Sequence, residues 1–324
     1  MKTNRRLRWG ILGCSRITRR GLIPGILASE SGSLVALASR NAATATAWCS
    51  EFGVERGYGS YEALLADSSV DAVYIPLPNE LHQSWVFAAA DAGKHILCEK
   101  PLALNASQAQ EMVEHCSRRG VVLMEAFMWR HQPRTALLKS MVVGGSIGDL
   151  RLIRASFSVP IEAGDWRLDP ARGGGALWDV GCYGVSTARF FANDEPAEVK
   201  AFAHFGTTGV DLSLTAELSF PNGVLAQVDC SFEQPFRCAY ELVGTTGVIG
   251  VPDAYLPPDG QSFARLLAAG TVQDLSFAGG NQYAGMVDAF ADAVWAGGKL
   301  LPPSEDGLAQ MKVLDAILAS ARSR

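Results

Sequence analysis

The chain has 324 residues, 48% hydrophobic and 19% charged, a balance that excludes disorder, collagen and coiled coil. Twenty-eight Lys and Arg against 33 Asp and Glu leave a formal charge of -5, which argues against a nucleic-acid binder. At this length two domains are expected rather than one.

The first 125 residues alternate short apolar runs with helical patterns. Leu7–Leu12 is predicted as a strand, Arg16–Glu30 as a helix, Leu34–Ser39 as a strand and Ala42–Phe52 as a helix. A short helix around Tyr61–Ala66 leads to strand Ala72–Ile75 and helix Glu80–Ala92. Strand His95–Cys98, helix Ser107–Arg119 and strand Val121–Met124 follow. Continuous apolar strands separated by helices require a parallel sheet covered on both faces. Right-handed crossovers make it an open, doubly wound α/β sheet of the Rossmann kind.

From residue 126 the pattern changes, and 126–324 is read as a second domain. Ile147–Val159 is a long strand, and Val210–Phe220 and Val224–Phe232 alternate apolar and polar residues. Pro221-Asn222-Gly223 joins the latter two as a hairpin, because Asn-Gly accepts positive φ cheaply. Arg237–Val243 and Val248–Val251 flank another tight turn, Gly244–Gly247. With helices near Ala176–Phe191, Gln282–Ala296 and Glu305–Arg322, this is an α+β domain with an open, mostly antiparallel sheet, one face buried.

A dinucleotide-binding reading starts at the end of the first strand, Gly10-Ile11-Leu12-Gly13-Cys14-Ser15-Arg16-Ile17-Thr18. Glycine is wanted where the backbone turns tightly and approaches a pyrophosphate at a helix N-terminus. Gly13 fills the first such position, while Ser15 and Thr18 stand where the second and third small residues belong. Ser15 offers a donor and Arg16 a charge to the phosphates, with Cys14 and Ile17 in the same turn. The second strand ends in Ser39-Arg40, where an NAD site places a carboxylate on the ribose hydroxyls. A hydroxyl and a guanidinium suit a 2′-phosphate instead, so NADP is favoured over NAD. After the fourth strand comes Pro76-Leu77-Pro78-Asn79-Glu80-Leu81-His82, with an apolar shelf for the nicotinamide and Asn79 placed to cap the next helix. His82 reads either as a cap-proximal histidine satisfied by backbone or as a cofactor contact.

Two further groups of residues carry chemistry. Glu99-Lys100-Pro101 follows an apolar strand, and proline holds Lys100 extended at the strand's carboxyl end, where ligands of such sheets bind. In Gly173-Gly174-Gly175-Ala176-Leu177-Trp178-Asp179-Val180-Gly181-Cys182-Tyr183, Asp179 and Tyr183 are four apart and share one face of a helix. A carboxylate and a phenol on a buried stripe need polar partners, which points to an active-site wall.

This ordered set resembles the glucose–fructose oxidoreductase/inositol dehydrogenase (Gfo/Idh/MocA) family. The resemblance runs through nearly the whole chain, including Met124-Glu125-Ala126-Phe127-Met128-Trp129-Arg130. It is strongest toward the branch of dimeric dihydrodiol dehydrogenases, NADP-dependent xylose dehydrogenases and sugar ketoreductases. It implies an N-terminal Rossmann domain, a C-terminal sheet used for homodimerisation or higher assembly, and a cis Lys100–Pro101 bond. It also implies catalytic roles for Lys100, Asp179 and Tyr183. Many relatives carry histidine where Tyr183 stands, so its role has to be argued chemically. A free tyrosine, pKa about 10, is poorly matched to neutral pH, and a nearby ammonium favours the phenolate. Tyr183 is therefore expected as acid/base, Lys100 as its electrostatic partner, and Asp179 as the group that orients Lys100 or a substrate hydroxyl.

Trp129, Arg130, Trp166 and Arg167 supply aromatic faces and donors suited to a polyhydroxylated ring, so the expected substrate is a sugar or cyclic polyol. A trans-dihydrodiol is the alternative, and a non-catalytic dinucleotide-sensing regulator is the reading from another class. Seven scattered cysteines without a Cys-x-x-Cys pair, and a basic start followed by only a short apolar stretch, read as cytoplasmic, without membrane or metal.

Overall fold

The computed structural model describes residues 5–258, 260–297 and 303–323. Its contacts divide the chain into two compact units, one formed by Met1–His131 with Asn281–Leu308 and the other by Gln132–Gly280 with Ala309–Arg324. A single division after residue 125 is therefore too simple. The second unit begins at Gln132, and a late segment returns to the first.

The first unit holds β1 (Leu7–Leu12), α1 (Ile23–Ala28), β2 (Gly32–Ala38), α2 (Ala42–Phe52), β3 (Arg56–Tyr58), α3 (Tyr61–Leu65) and β4 (Ala72–Ile75). It continues with α4 (His82–Asp91), β5 (His95–Cys98), α5 (Ala106–Arg119) and β6 (Leu123–Glu125). All the pairings are parallel, in the order β3-β2-β1-β4-β5-β6. The chain reverses its direction of winding between β1 and β4, which opens a crevice at the strands' carboxyl ends. The strands at the centre are apolar because both faces are covered: β4 is buried at every residue.

In the second unit, α6 (Pro133–Val143) precedes β7 (Leu150–Ser158), and α7 (Cys182–Ala192) precedes β8 (Glu198–Phe205), β9 (Asp211–Ser219) and β10 (Leu225–Ser231). Then come β11 (Arg237–Gly244), β12 (Gly247–Val251), β13 (Gln261–Ala268) and β14 (Thr271–Ala278). These strands make an eight-stranded sheet ordered β14-β13-β12-β11-β7-β10-β9-β8, antiparallel except for the β7–β10 pair. Alternation buries one face: in β10, Ala226, Val228 and Cys230 point inward while Leu225 and Gln227 are exposed. α7 lies on that inner face. Its Gly184 leaves no room for a Cβ, which would stand 2.6 Å from Val228 Cγ1.

The last helices are α8 (Gln282–Trp295) and α9 (Glu305–Arg322). α8 belongs to the first unit, where Phe290 packs 5.1 Å from Trp9 between ring centroids and Asp288 accepts from Ser29 Oγ and the Ser31 amide.

Candidate functional site

In the first unit, the loops leaving β1, β2, β4 and β5 carry the residues expected to hold a dinucleotide. Gly13 has φ +126, a conformation side chains resist, and a Cβ there would lie 3.1 Å from Leu77 and 3.9 Å from Pro76. The glycine turn and the Pro76-Leu77 shelf are thus in direct contact. Ser15 caps the following turn, its Oγ accepting the Thr18 amide at 3.2 Å, while Thr18 is fully buried. These two replace the missing small residues by closing the helix start with side-chain oxygens. The helix expected over Arg16–Glu30 starts at Arg16 and ends two residues early at Ala28, with a wide π turn, Thr18–Leu22, inside it before α1. Cys14 is half-buried, and burial pushes its thiol up to about 11.

Ser39 and Arg40 follow β2 directly. Ser39 Oγ accepts the Asn41 amide, and Asn41 in turn caps α2 through the amides of Ala43 and Thr44. Arg40 stays exposed at the crevice edge. A cradle with no Cβ at its centre, a shelf of Pro76 and Leu77 and an exposed guanidinium after β2 fit a phosphorylated dinucleotide.

Asn79 is not a helix cap. It opens a short 3-10 turn, Asn79–Leu81, that delays α4 until His82, and its side chain is buried. His82 is no cofactor contact either. Its ring is fully buried, with Nδ1 3.0 Å from the Pro101 carbonyl and Nε2 2.9 Å from the Leu77 carbonyl. Burial pushes this imidazole below its ordinary range, against the pull of those carbonyls. His82 joins the shelf to the loop that carries Lys100.

That loop is tied down on every side. Tyr74 Oη on β4 donates to Glu99 Oε1, and the Lys100 amide donates to Glu99 Oε2 at 3.3 Å. The Leu102 amide donates to Glu125 Oε1 at 2.9 Å. The Lys100–Pro101 bond is cis. Lys100 itself is half-buried at the carboxyl end of β5. Tyr74 and Glu125 were not singled out from sequence; both sit at strand ends where apolar runs mask a functional polar group.

Trp129 and Arg130 do not form a sugar-binding surface. Trp129 is fully buried, and Arg130 donates to Asp306 Oδ2 at 2.6 Å with its side chain 6% exposed. A sequestered indole has no face to offer a ring, and the guanidinium is committed to a carboxylate.

In the second unit, two of the three glycines are explained by what surrounds them. A Cβ on Gly174 would stand 2.4 Å from the Arg167 carbonyl oxygen, and one on Gly175 would stand 2.3 Å from Asp211 Oδ1. The strap then enters a π turn, Leu177–Gly181, that runs straight into α7. Asp179 lies in the turn and Tyr183 in the helix, so their spacing is not the regular one assumed from four residues. Asp179 Oδ2 accepts from Arg167 Nε at 2.8 Å, and Arg167 Nη1 also reaches Asp165 at 3.2 Å. Burial alone would lower the Arg167 pKa, but the Asp179 and Asp165 carboxylates more than reverse this and raise it. Arg167 is therefore the partner of Asp179. Trp166 is half-exposed, with the Arg167 guanidinium 4.8 Å and that of Arg172 5.5 Å from its ring centroid.

Tyr183 is held in an aromatic cage. Its ring lies 4.9 Å from Tyr255 and 5.4 Å from Phe157. Tyr255 Oη and Thr187 Oγ1 are 2.8 Å apart, and Thr187 donates to the Tyr183 carbonyl. Gln310 Nε2 donates to the Cys182 carbonyl at 2.8 Å. Among the described residues, no three His, Cys, Asp or Glu side chains gather as a metal site.

Residues 7–127 match an oxidoreductase family with an NAD-binding Rossmann fold, and residues 135–250 match the GFO/IDH/MocA C-terminal domain. The chain belongs to the GFO/IDH/MocA oxidoreductase family. It is 39% identical over 318 residues to D-xylose 1-dehydrogenase (NADP(+)) 2 of Haloferax volcanii, covering 97% of each chain. It is also similar to the solved structure of a 3-ketoreductase from Actinomadura kijaniata in complex with NADP and TDP-benzene, with TM-score 0.91, 35% identity and 98% of each chain covered. Trans-1,2-dihydrobenzene-1,2-diol dehydrogenase of Mus musculus is 33% identical over 259 residues, spanning 78% of this chain and 77% of its own. As an enzyme of this family, the protein is an oxidoreductase whose fold joins a parallel Rossmann sheet to a mostly antiparallel one.

Proposed function

We propose that this oxidoreductase uses NADP to interconvert a hydroxyl and a carbonyl on a sugar or cyclic polyol, as an aldose 1-dehydrogenase or a ketosugar reductase. The observation that carries the reading is Lys100. Its ammonium stem rises from a loop locked by Tyr74, His82 and Glu125, next to the shelf and glycine turn of a dinucleotide crevice. A cation fixed there is preorganised for charge that develops during reaction. NADP is supported by Ser39 and Arg40, by the NADP(+) named for the xylose dehydrogenase relative and by the NADP bound to the ketoreductase. The bound nicotinamide supplies the hydride chemistry.

Tyr183 takes the hydroxyl proton in oxidation and returns it in reduction, and Lys100 supplies positive charge for the reaction. Asp179 orients a substrate hydroxyl, a carboxylate being an acceptor for O–H donors. Trp166 offers the sugar an aromatic face. The exposed face of the eight-stranded sheet pairs two chains, a reading supported by Phe202, Leu225, Phe263 and Leu267, which the strand register sets on one side. Seven free cysteines, six of them buried, support a reducing cytoplasmic setting, and no helix among the described residues is long and apolar enough to cross a membrane.

Turnover of NADP+ or NADPH over aldoses, ketosugars, nucleotide-linked sugars and dihydrodiols tests the proposal. Turnover of a sugar is expected. Binding of NADPH with no turnover of any of them supports the dinucleotide-sensing regulator instead, and turnover of dihydrodiols alone supports the aromatic substrate. Tyr183→Phe is expected to lower kcat about 100-fold or more while retaining NADPH affinity.

A further inference from the structure

Asp211 opens β9 and is 4% exposed, yet the reaction described above makes no use of it. Its Oδ2 accepts the Leu177 amide at 2.6 Å, and its Oδ1 occupies the space that a side chain on Gly175 would need. The carboxylate thus sits at the start of the Leu177–Gly181 turn. Ala176, the residue in the capping position, has no side-chain acceptor to offer. The first amides of a helix have no partner within it, and a negative group there is favoured by the helix dipole. Desolvation pushes the Asp211 carboxyl up to about 6, against the Leu177 and Asp211 amides, the Arg322 guanidinium and the Ala176 amide.

The body of α7 is secured elsewhere. Gly184 lies against Val228, Gln310 holds the Cys182 carbonyl, and Tyr255 and Phe157 enclose Tyr183. What Asp211 fixes is the entry turn, the stretch from which Asp179 projects.

We propose that Asp211 is a positioning residue: it holds the turn that bears Asp179, while Tyr183 is left to the contacts that secure α7. The proposal rests on the catalytic reading of Asp179.

The full-length protein is tested as Asp211→Ala and Asp211→Asn, with kcat expressed per NADPH-binding site so that any misfolded fraction drops out. In Asp211→Ala, kcat per site is expected to fall about 100-fold, with KM and NADPH Kd within about 3-fold of wild type. Asp211→Asn keeps an acceptor oxygen and is expected to recover most of that loss. Amide exchange over residues 176–181 is expected to quicken in the alanine variant only. If Asp211→Ala yields no NADPH-binding protein, Asp211→Ser, whose hydroxyl is too short to reach the Leu177 amide in the same way, is read by the same criteria. An unchanged kcat per site overturns the proposal alone, as does an equal loss in the alanine and asparagine variants. Wild-type protein that binds NADPH but turns over no sugar overturns the catalytic reading and this proposal with it.

Discussion

A guanidinium after β2 can discriminate between two cofactors that differ by one phosphate. Arg40 is exposed there, beside Ser39, whose hydroxyl accepts the Asn41 amide and keeps its own proton to donate. A charge-assisted bond is worth roughly 1.5–3 kcal/mol, so Arg40→Ala is expected to weaken NADP+ binding about 10–100-fold and leave NAD+ unaffected. Fluorescence titration with both cofactors checks this, and equal losses would deny Arg40 a phosphate-reading role. At this scale the sequence makes placement legible: Gly13, Ser39 and Lys100 stand at strand ends that apolar runs reveal. A partner brought close by folding is not legible in this way. Nothing in the chain announces that Arg167 bonds Asp179. Asp211 was hidden by its own strand. The alternation Leu214, Ala216, Leu218 assigns it to the outer face, but a register shift beside His204 and Phe205, where Phe205 pairs with Asp211, accompanies its burial.

The entry to α7 depends on backbone geometry that only glycine meets easily. Gly175 has φ +128 and stands against the Asp211 carboxylate, so Gly175→Ala is expected to lose about 1–3 kcal/mol from backbone strain alone, with the clash added. Urea denaturation measures the loss, and a change under about 0.5 kcal/mol would mean the strap relaxes freely. Five of the six parallel strands were legible as elements because burial makes them continuously apolar. β13 and β14 were not. Thr271–Ala278 at the sheet's edge is exposed at nearly every position, leaving little hydrophobic period to detect. β3, with three residues and none buried, escaped for the same reason.

For the molecule as a whole, one buried carboxyl sets a pH dependence of stability. Asp211 is raised from 3.8 to about 6 in the fold, with the Arg322 guanidinium on α9 and the Cys230 thiol on β10 as its electrostatic neighbours. A group with raised folded pKa contributes stability that is fully present below about 3.8 and is lost as pH rises through about 6. The shift corresponds to about 3 kcal/mol, so wild type is expected to lose up to about that much relative to Asp211→Asn between pH 4 and 7. Parallel urea curves for the two proteins would reveal it, and curves that keep a constant offset across this range would deny Asp211 the raised pKa. The sheet's outer face makes a second prediction. Phe202→Asp with Leu225→Arg is expected to halve the mass seen by light scattering while leaving the circular dichroism spectrum intact. A wild-type mass equal to one chain would remove the dimer.

The return of residues 281–308 to the first unit has a consequence for biogenesis. Trp9, in the first strand, meets Phe290 only after the 280 residues between them have left the ribosome. Until then the growing Rossmann half exposes an apolar flank, during which a holdase chaperone has a surface to grip. A gene fragment ending before α8 is expected to yield an aggregating product rather than a stand-alone dinucleotide module.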